Sequence, residues 1–245
     1  MRRYMNADLH RIFTRIPRYI SLAVLYALLT VIAFAYFKES TSYEFVSFFG
    51  KYDRFVFFLF GLIDFVYVYT DDFKAKTMQI AIGTGVSRKK VIFTKWLEIV
   101  LLTALDLAIF LAIAFVVSMV RGVVFSGEPL RDVLILSGFS LVKLAGAAAI
   151  TSILLFSTMN ATLGMILFIA AAFGILYFLV SAIVTIGPLE SLHLDQYLFT
   201  SLLEAAKSRA VIGTISVPHI VGIVVYLVIF YLLACRAFKK VELEF

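Results

Sequence analysis

The chain has 245 residues, of which 62% are hydrophobic and only 16% charged, and its formal net charge is +6. Soluble domains carry about 25% charged residues, so this composition excludes an ordinary soluble enzyme or binding domain. With a mean hydropathy of +1.01, the chain is expected to have a lipid bilayer as its solvent. The single cysteine, Cys235, excludes an internal disulfide and a metal site built from several cysteines.

The chain begins with an amphipathic leader, residues 1–18. Apolar residues recur on one helical face and arginines on another: Leu9, Ile12, Phe13 and Ile16 against Arg3, Arg11, Arg15 and Arg18. This pattern predicts a helix that lies on the inner membrane surface. Pro17 then allows a bend into the first span. The alternative is a basic N-terminal flank without a structure of its own.

Six apolar segments are long enough to cross a hydrocarbon core, which takes about 20 helical residues. They are Tyr19–Phe37, Phe55–Tyr69, Val91–Val120, Val133–Phe156, Leu163–Gly187 and Val217–Ala234. Backbone groups in lipid must be satisfied internally, so these segments predict helices. The expected fold is therefore an all-α integral membrane protein with six transmembrane helices, and residues 1–245 form a single transmembrane domain.

The distribution of lysine and arginine predicts the orientation. With the N-terminus inside, 14 of these residues lie in cytoplasmic segments and 7 in outer segments, Lys143 being intramembrane. This bias favours cytoplasmic termini in a multi-pass membrane protein. It accounts for the positive charge without a nucleic-acid partner. The longest outer segment, residues 188–216, has Leu194, Leu198, Leu202 and Ala205 at helical spacing, which predicts an extracellular helical loop.

A polar island, Thr70–Lys95, separates the second and third spans. Thr70 or Asp71 can cap a helix from Asp71 to about Ile82. Residues 83–85, Gly-Thr-Gly, break that helix, and Ser87 can cap the next one, which carries three basic residues into the membrane. The alternative interpretation is an ordinary positive-inside loop.

The glycine-rich part of the island is not a nucleotide site. A Walker loop requires Gly-Lys-Ser/Thr after four intervening residues, whereas Arg88 stands where the second glycine should be. No cofactor is therefore expected on this chain.

The order of leader, six spans, inner helical segment and outer helical loop resembles a permease subunit of the ABC-2 type of ATP-binding-cassette exporters. The stretch Phe73–Lys95 is similar to the coupling region of that family. The family often carries glutamate near the start of the coupling helix, where this chain has Asp71 and Asp72. In size the chain is similar to permeases that export antimicrobial peptides, confer bacteriocin immunity or remove drugs.

The resemblance implies an elbow helix at residues 1–18 and a cytoplasmic coupling region at 71–90. It also implies a second permease subunit, identical or different, and a separate cytoplasmic ATPase that binds ATP and Mg. The residues that it assigns to ATPase coupling are Asp71, Asp72, Phe73, Lys74, Lys76, Thr77, Ile80, Gly83, Gly85 and Arg88.

Charged residues inside the apolar segments are costly and normally face protein or water. Asp106 and Lys143 lie at similar depth on consecutive spans, so we predict that they approach each other, either to fix helix register or to line the translocation path. Glu98 is expected to snorkel towards the interface near Lys95. The small-residue run 145–149 predicts close helix contact, within the subunit or at a dimer seam.

The sequence shows no catalytic or metal-binding pattern. His10, His193 and His219 are far apart, and neither His-Glu-x-x-His nor Gly-x-Ser-x-Gly occurs. The expected function is that of an exporter permease for a hydrophobic or amphipathic cargo (a peptide, drug or lipid), with ATP hydrolysis confined to the partner. The alternatives are a non-transporting immunity or interaction protein, an intramembrane enzyme and a vitamin-importer module.

Overall fold

The computed structural model describes residues 2–37, 41–123 and 127–241. It describes side chains throughout these ranges except at Arg2, Asp53 and residues 187–189. Met1 of the predicted leader, Lys38 of the predicted outer loop and residues 124–126 of the next loop lie outside the described residues. All regular structure in the described ranges is helical, and no strand occurs among them.

The α-helices are numbered in chain order, with a π-helix at Val66–Thr70 and 3-10 helices at Gly187–Leu192 and Leu194–Tyr197. Their bounds are α1 Arg2–Phe13, α2 Ile16–Tyr36, α3 Ser42–Phe65, α4 Asp71–Ala75, α5 Thr77–Gly83, α6 Arg88–Val120, α7 Gly127–Thr158, α8 Ala161–Ala172, α9 Ile175–Val184, α10 Phe199–Val211 and α11 Val217–Lys239.

Four helices in the described part of the chain are long and apolar enough to cross a membrane: α2, α6, α7 and α11. The α8–α9 pair makes a fifth if it is counted as one bent span. These long apolar helices are those of a membrane-spanning protein, with four or five candidate spans among the described residues where the sequence predicts six. Helix α3 is not among them because five charged residues interrupt it: Glu44, Lys51, Asp53, Arg54 and Asp64.

Two of the predicted span boundaries are wrong. The second span was expected from Phe55, but α3 begins at Ser42, so most of the predicted loop Lys38–Arg54 is helical. The fifth was expected as one helix, Leu163–Gly187, but it bends by 68° between α8 and α9. The cause lies at Gly174, whose φ of 83° is a left-handed conformation that ends a helix.

Helix α7 lies at the centre and packs against α3, α6, α8, α10 and α11. Its small-residue run 145–149 is buried in these contacts. A Cβ at Gly146 would lie 2.4 Å from the Phe199 ring of α10, so glycine permits that contact. The run therefore packs within the subunit, which was one of the two alternatives left open by the sequence.

The leader and the segment 188–216 are helical, as expected. Ile12 of α1 is fully buried, whereas Phe13 and Ile16 of the same predicted apolar face are exposed. Arg18, which was expected on the polar face, is buried. In the second segment α10 begins only at Phe199, so Leu194 and Leu198 precede it. Its buried residues are Leu203 and Ala206.

Candidate functional site

The polar island forms two short helices rather than one. Helix α4 continues from α3 through the π-helix, so neither Thr70 nor Asp71 starts a new helix with a side-chain cap. Lys76 then adopts φ 53°, a left-handed conformation that ends α4 and separates it from α5. We call residues 71–83 the α4–α5 segment. Ser87 precedes α6 in extended conformation but makes no side-chain cap hydrogen bond.

Asp72 stabilises the break in this segment. Its carboxylate accepts a hydrogen bond of 3.0 Å from the backbone N–H of Met78, in the first turn of α5. The first N–H groups of a helix have no partner within it, and a carboxylate placed there satisfies one of them. Asp72 is 1% exposed. Asp72 therefore lies in the interior rather than on the exposed surface of the segment, and its predicted role in ATPase coupling stays a prediction.

Lys95 holds the α4–α5 segment against the rest of the bundle. Its ammonium is completely buried; it lies 2.6 Å from the Asp72 carboxylate and donates to Asp8 of α1 and, at 3.0 Å, to the carbonyl of Val68. One side chain of α6 thus binds the leader, the π-helix and α4. We call Asp8, Arg11, Asp72, Lys95 and Glu98 the Lys95 cluster.

Arg11 extends this cluster along the leader. It donates to Asp8 at 2.8 Å and to the carbonyl of Tyr67 at 3.2 Å. Burial would raise the pKa of Asp8, but Lys95 and Arg11 outweigh it and lower that pKa below its usual range. Burial raises the pKa of Asp72, and Lys95 only partly opposes it. The leader is therefore ionically attached to the bundle rather than lying apart from it.

Glu98 is the third carboxylate of the cluster. It is fully buried, its carboxylate lies 3.9 Å from the Lys95 ammonium, and neither of its oxygens accepts a hydrogen bond from a described donor. The expectation that Glu98 snorkels to the interface is wrong, because its carboxylate is buried in the protein beside Lys95. Three carboxylates meet two cations here, so the cluster becomes neutral when it holds one proton.

The residues expected to couple to an ATPase differ in exposure. Five of the ten are exposed, four are half-buried and Asp72 is buried: Lys74, Lys76, Ile80, Gly83 and Gly85 are exposed, and Asp71, Phe73, Thr77 and Arg88 are half-buried. Phe73 packs against the core at Phe156. Asp71 forms an ion pair of 3.7 Å with Arg15.

Arg88 has a structural role. Its guanidinium donates to the carbonyls of Phe238 and Val241, at 2.7 Å in the second case, and lies over the Phe238 ring. It satisfies carbonyls that the C-terminal end of α11 leaves without helical partners. Arg88 thus joins the start of α6 to the end of α11, and its predicted contact with a partner protein stays a prediction.

A second group of buried charges lies deeper in the bundle. Arg18 of α2, which is 1% exposed, donates to Asp64 at 2.9 Å and to Asp106 at 2.8 Å. Thr103 donates to Asp64 at 2.9 Å, and Tyr26 donates to Asp106 at 3.2 Å. We call these five residues the Arg18 cluster. It joins α2, α3 and α6.

The predicted pairing of Asp106 with Lys143 is therefore wrong. The partner of Asp106 is Arg18. Lys143 of α7 instead lines a series of cavities, with Arg54 and Glu204 on one side and Tyr177 and Phe230 on another. Equal depth on neighbouring helices does not specify which faces meet. Arg18 of α2 supplies the positive charge that pairs with the Asp106 carboxylate.

Sequence reasoning missed Asp8, Arg18 and Lys95 as interior residues. Arginines and lysines near span ends were counted as topological charges, a treatment that carries no information on their contacts. One signal was present for Asp8, which precedes Ile12 by four residues and so shares the leader's buried face. An acid on that face requires a buried cation.

Among the described residues, no group of three His, Cys, Asp or Glu side chains could hold a metal ion.

Comparison with known proteins does not extend this description. No family model matches the chain, and neither a curated protein nor a solved structure matches it.

Proposed function

We propose that this chain is a permease subunit of an ATP-binding-cassette exporter of the ABC-2 type, driven by a separate ATPase subunit. The observation that carries the proposal is the attachment of the α4–α5 segment. Its outer surface is exposed and basic, while its inner surface is bound through Lys95 to both the leader and α6. A segment attached in this way can pass a displacement to the membrane helices.

The remaining features of the proposal follow the resemblance. The chain would have six spans with cytoplasmic termini in a bacterial plasma membrane, α1 as the elbow helix and residues 188–216 outside. It would pair with a second permease subunit, and ATP and Mg would bind to the ATPase partner. The two subunits would form a path for a hydrophobic or amphipathic cargo.

The exposed surface of the α4–α5 segment has the chemistry of a docking surface. Ile80 is 62% exposed. Lys74 and Lys76 are exposed in the same segment, and Lys89 and Lys90 are exposed at the start of α6. An exposed apolar residue in a basic segment suits a groove with an apolar centre and an acidic rim. The positive charge of this surface would also attract a partner protein with an acidic groove in solution.

Ile80 gives a sharper test than Phe73 or Arg88, because both of those residues also hold the fold together. The Ile80→Asp variant should insert and fold like the parent, yet lose its ATPase partner. The measurement is affinity purification from native membranes with mass spectrometry of the co-purified proteins, followed by an ATP hydrolysis assay on the complex. Recovery of a protein with a Walker loop and of ATP hydrolysis, both reduced at least tenfold by Ile80→Asp, is the expected result.

Ile215→Asp is the matched control. Ile215 is 80% exposed and lies in the loop before α11, at the opposite end of the bundle. The same change there should leave the partner and its activity in place. Co-purification of the ATPase at parent levels with Ile80→Asp would contradict the docking surface, and absence of any Walker-loop protein from the parent complex would contradict the proposed function.

A further inference from the structure

The Lys95 cluster holds more carboxylates than cations, and its least satisfied carboxylate is that of Glu98. Asp8 accepts hydrogen bonds from Lys95 and Arg11. The Asp72 carboxylate lies 2.6 Å from the Lys95 ammonium. Glu98 is fully buried, and its oxygens accept no hydrogen bond from a described donor. A carboxylate in such a place has lost its hydration without compensation, which favours the protonated, neutral form.

The position of Glu98 relative to Asp8 indicates where a proton would be held. The two carboxyl groups lie within hydrogen-bonding reach of each other. Two ionised carboxylates cannot form that bond, because neither has a hydrogen to donate. A single proton completes it, with the Glu98 hydroxyl as donor and the Asp8 carboxylate as acceptor. Asp8 is the ionised partner, because Lys95 and Arg11 already donate to it.

The titratable side chains described around these carboxylates come from α1, the π-helix, α4 and α6. They are Tyr4, Asp8 and Arg11 of α1, Tyr69 of the π-helix, Asp72 of α4 and Lys95 of α6. Burial and the nearby carboxylates raise the pKa of Tyr4, so its hydroxyl keeps its proton and adds no charge. Two cations therefore face three carboxylates, and one bound proton makes the site neutral.

A cavity of about 230 Å³ extends from the cluster to the exposed side of the α4–α5 segment. Asp72 and Gln79 line it, together with Met159 of the turn between α7 and α8. The exposed Lys76 also lines it, so the cavity reaches water at the break between α4 and α5. Asp72 borders this space and pairs with Lys95. A proton can thus pass between water and the cluster by way of Asp72.

We propose that the Lys95 cluster is a proton-binding site, in which Glu98 holds one proton at neutral pH and donates it in a hydrogen bond to Asp8. On release, the Glu98 O–H bond breaks, its electron pair stays on the carboxylate, and a base dissolved in the surrounding water takes the proton. Glu98 and Asp8 then repel each other in a buried site of net negative charge. The site goes beyond the proposed permease function and does not depend on an ATPase.

Release of the proton should loosen both the leader and the α4–α5 segment. Lys95 is shared between Asp8 of the leader and Asp72 of α4, so repulsion from an ionised Glu98 weakens the attachment of both. An exposed glutamate has already lost its proton at neutral pH, whereas the folded site retains one. The attachment is therefore intact at neutral pH and is lost as the pH rises and the cluster releases its proton.

Infrared difference spectroscopy of the full chain in detergent tests the proton directly, because only a protonated carboxyl gives the C=O stretching band of a carboxylic acid. At neutral pH the difference between the parent and Glu98→Gln should contain this band, and alkaline pH should remove it. Glu128→Gln changes an exposed glutamate at the start of α7 and should leave the band unchanged. A difference spectrum without the band at neutral pH would overturn the proposal.

Hydrogen–deuterium exchange separates this role from a merely structural one. Glu98→Gln keeps the size and a hydrogen-bond donor of the protonated acid, so it should match the parent at neutral pH in residues 2–13 and 71–83. At alkaline pH the parent should exchange at least fivefold faster than this variant in both segments, with α10 equal in the two proteins. Comparison at equal pH removes the intrinsic effect of pH on exchange.

Two outcomes of the exchange measurement would overturn the proposal. Equal rates in the parent and Glu98→Gln at alkaline pH would show that the proton does not control the attachment. Faster exchange of Glu98→Gln at neutral pH would show that the parent is not held by a protonated acid, because a neutral amide should then preserve the attachment.

Discussion

Lys95 and Lys143 both lie inside long apolar helices, yet their surroundings differ. Lys95 is completely enclosed, with carboxylates from α1, α4 and α6 around its ammonium. Lys143 lines three connected cavities whose described charged side chains are mostly cations. The first lysine is part of a filled and nearly neutral interior, whereas the second borders open cavities.

This comparison separates a region that holds helices together from a region that retains open cavities. A buried ion pair loses much of its Coulomb attraction to desolvation, so it is a weak source of net stability, but removal of one partner is strongly destabilising. The Lys95 cluster therefore holds α1, α4 and α6 in one arrangement.

The largest effect is expected from Lys95→Met. Asp8, Asp72 and Glu98 would then share a buried site with Arg11 as the only nearby cation of the cluster, at a cost of at least about 3–5 kcal/mol of unfolding free energy. Lys207→Met is the control at the cavity end, because its pair with Glu204 is partly exposed and should cost less than about 1 kcal/mol. Thermal unfolding in detergent measures both, and comparable losses would remove the distinction between the two regions.

A slightly smaller effect is expected from Arg18→Met, which leaves two buried carboxylates without their cation and should cost about 3–5 kcal/mol. Addition of Asp64→Asn and Asp106→Asn should restore most of the lost stability. Three neutral side chains at these positions can replace the buried ionic group without leaving an unpaired charge. The exposed Arg15→Met should cost under about 1 kcal/mol. If the triple variant is as unstable as the single one, the Arg18 cluster does not act through charge.

Two glycines of α3 give the smallest effects, with opposite signs. A Cβ at Gly61 would lie 2.2 Å from Leu144 Cδ1, so Gly61→Ala should destabilise the fold by about 1–2 kcal/mol through overpacking. Gly50 borders the cavity between α3, α7 and α10, and a Cβ at this position would have no atom within 4 Å. Gly50→Ala should therefore stabilise the helix by up to about 1 kcal/mol. The same unfolding assay should distinguish the two variants. A loss of stability in Gly50→Ala would mean that the space beside Gly50 is filled.

Composition and hydropathy predicted the helical class and located α2, α6, α7 and α11, because long apolar segments with few charges have few other stable forms. They failed where a helix carries many charges, as in α3, and where a single backbone position changes direction, as at Gly174. The break at Lys76 was also missed, since lysine gives no local signal for a left-handed conformation.

The contacts of the site could not be predicted in the same way. Asp106 needed a buried cation, and the sequence offered Lys143 at similar depth, whereas Arg18 was placed in the leader at the inner membrane surface. The packing of α2 against α6 brings Arg18 to Asp106. Asp72 and Arg88 were interpreted as docking residues from their position in the polar island. Their actual contacts, Met78 and the end of α11, depend on the break at Lys76 and on the tertiary position of the last helix.

The central claim is that the leader, the α4–α5 segment and α6 behave as one unit through Lys95. Hydrogen–deuterium exchange of the full chain carrying Asp8→Asn tests it most directly, because the substitution is in the leader and the α4–α5 segment is read separately. The account predicts faster exchange in residues 2–13 and also in 71–83, with α10 unchanged. Faster exchange confined to residues 2–13 would contradict it.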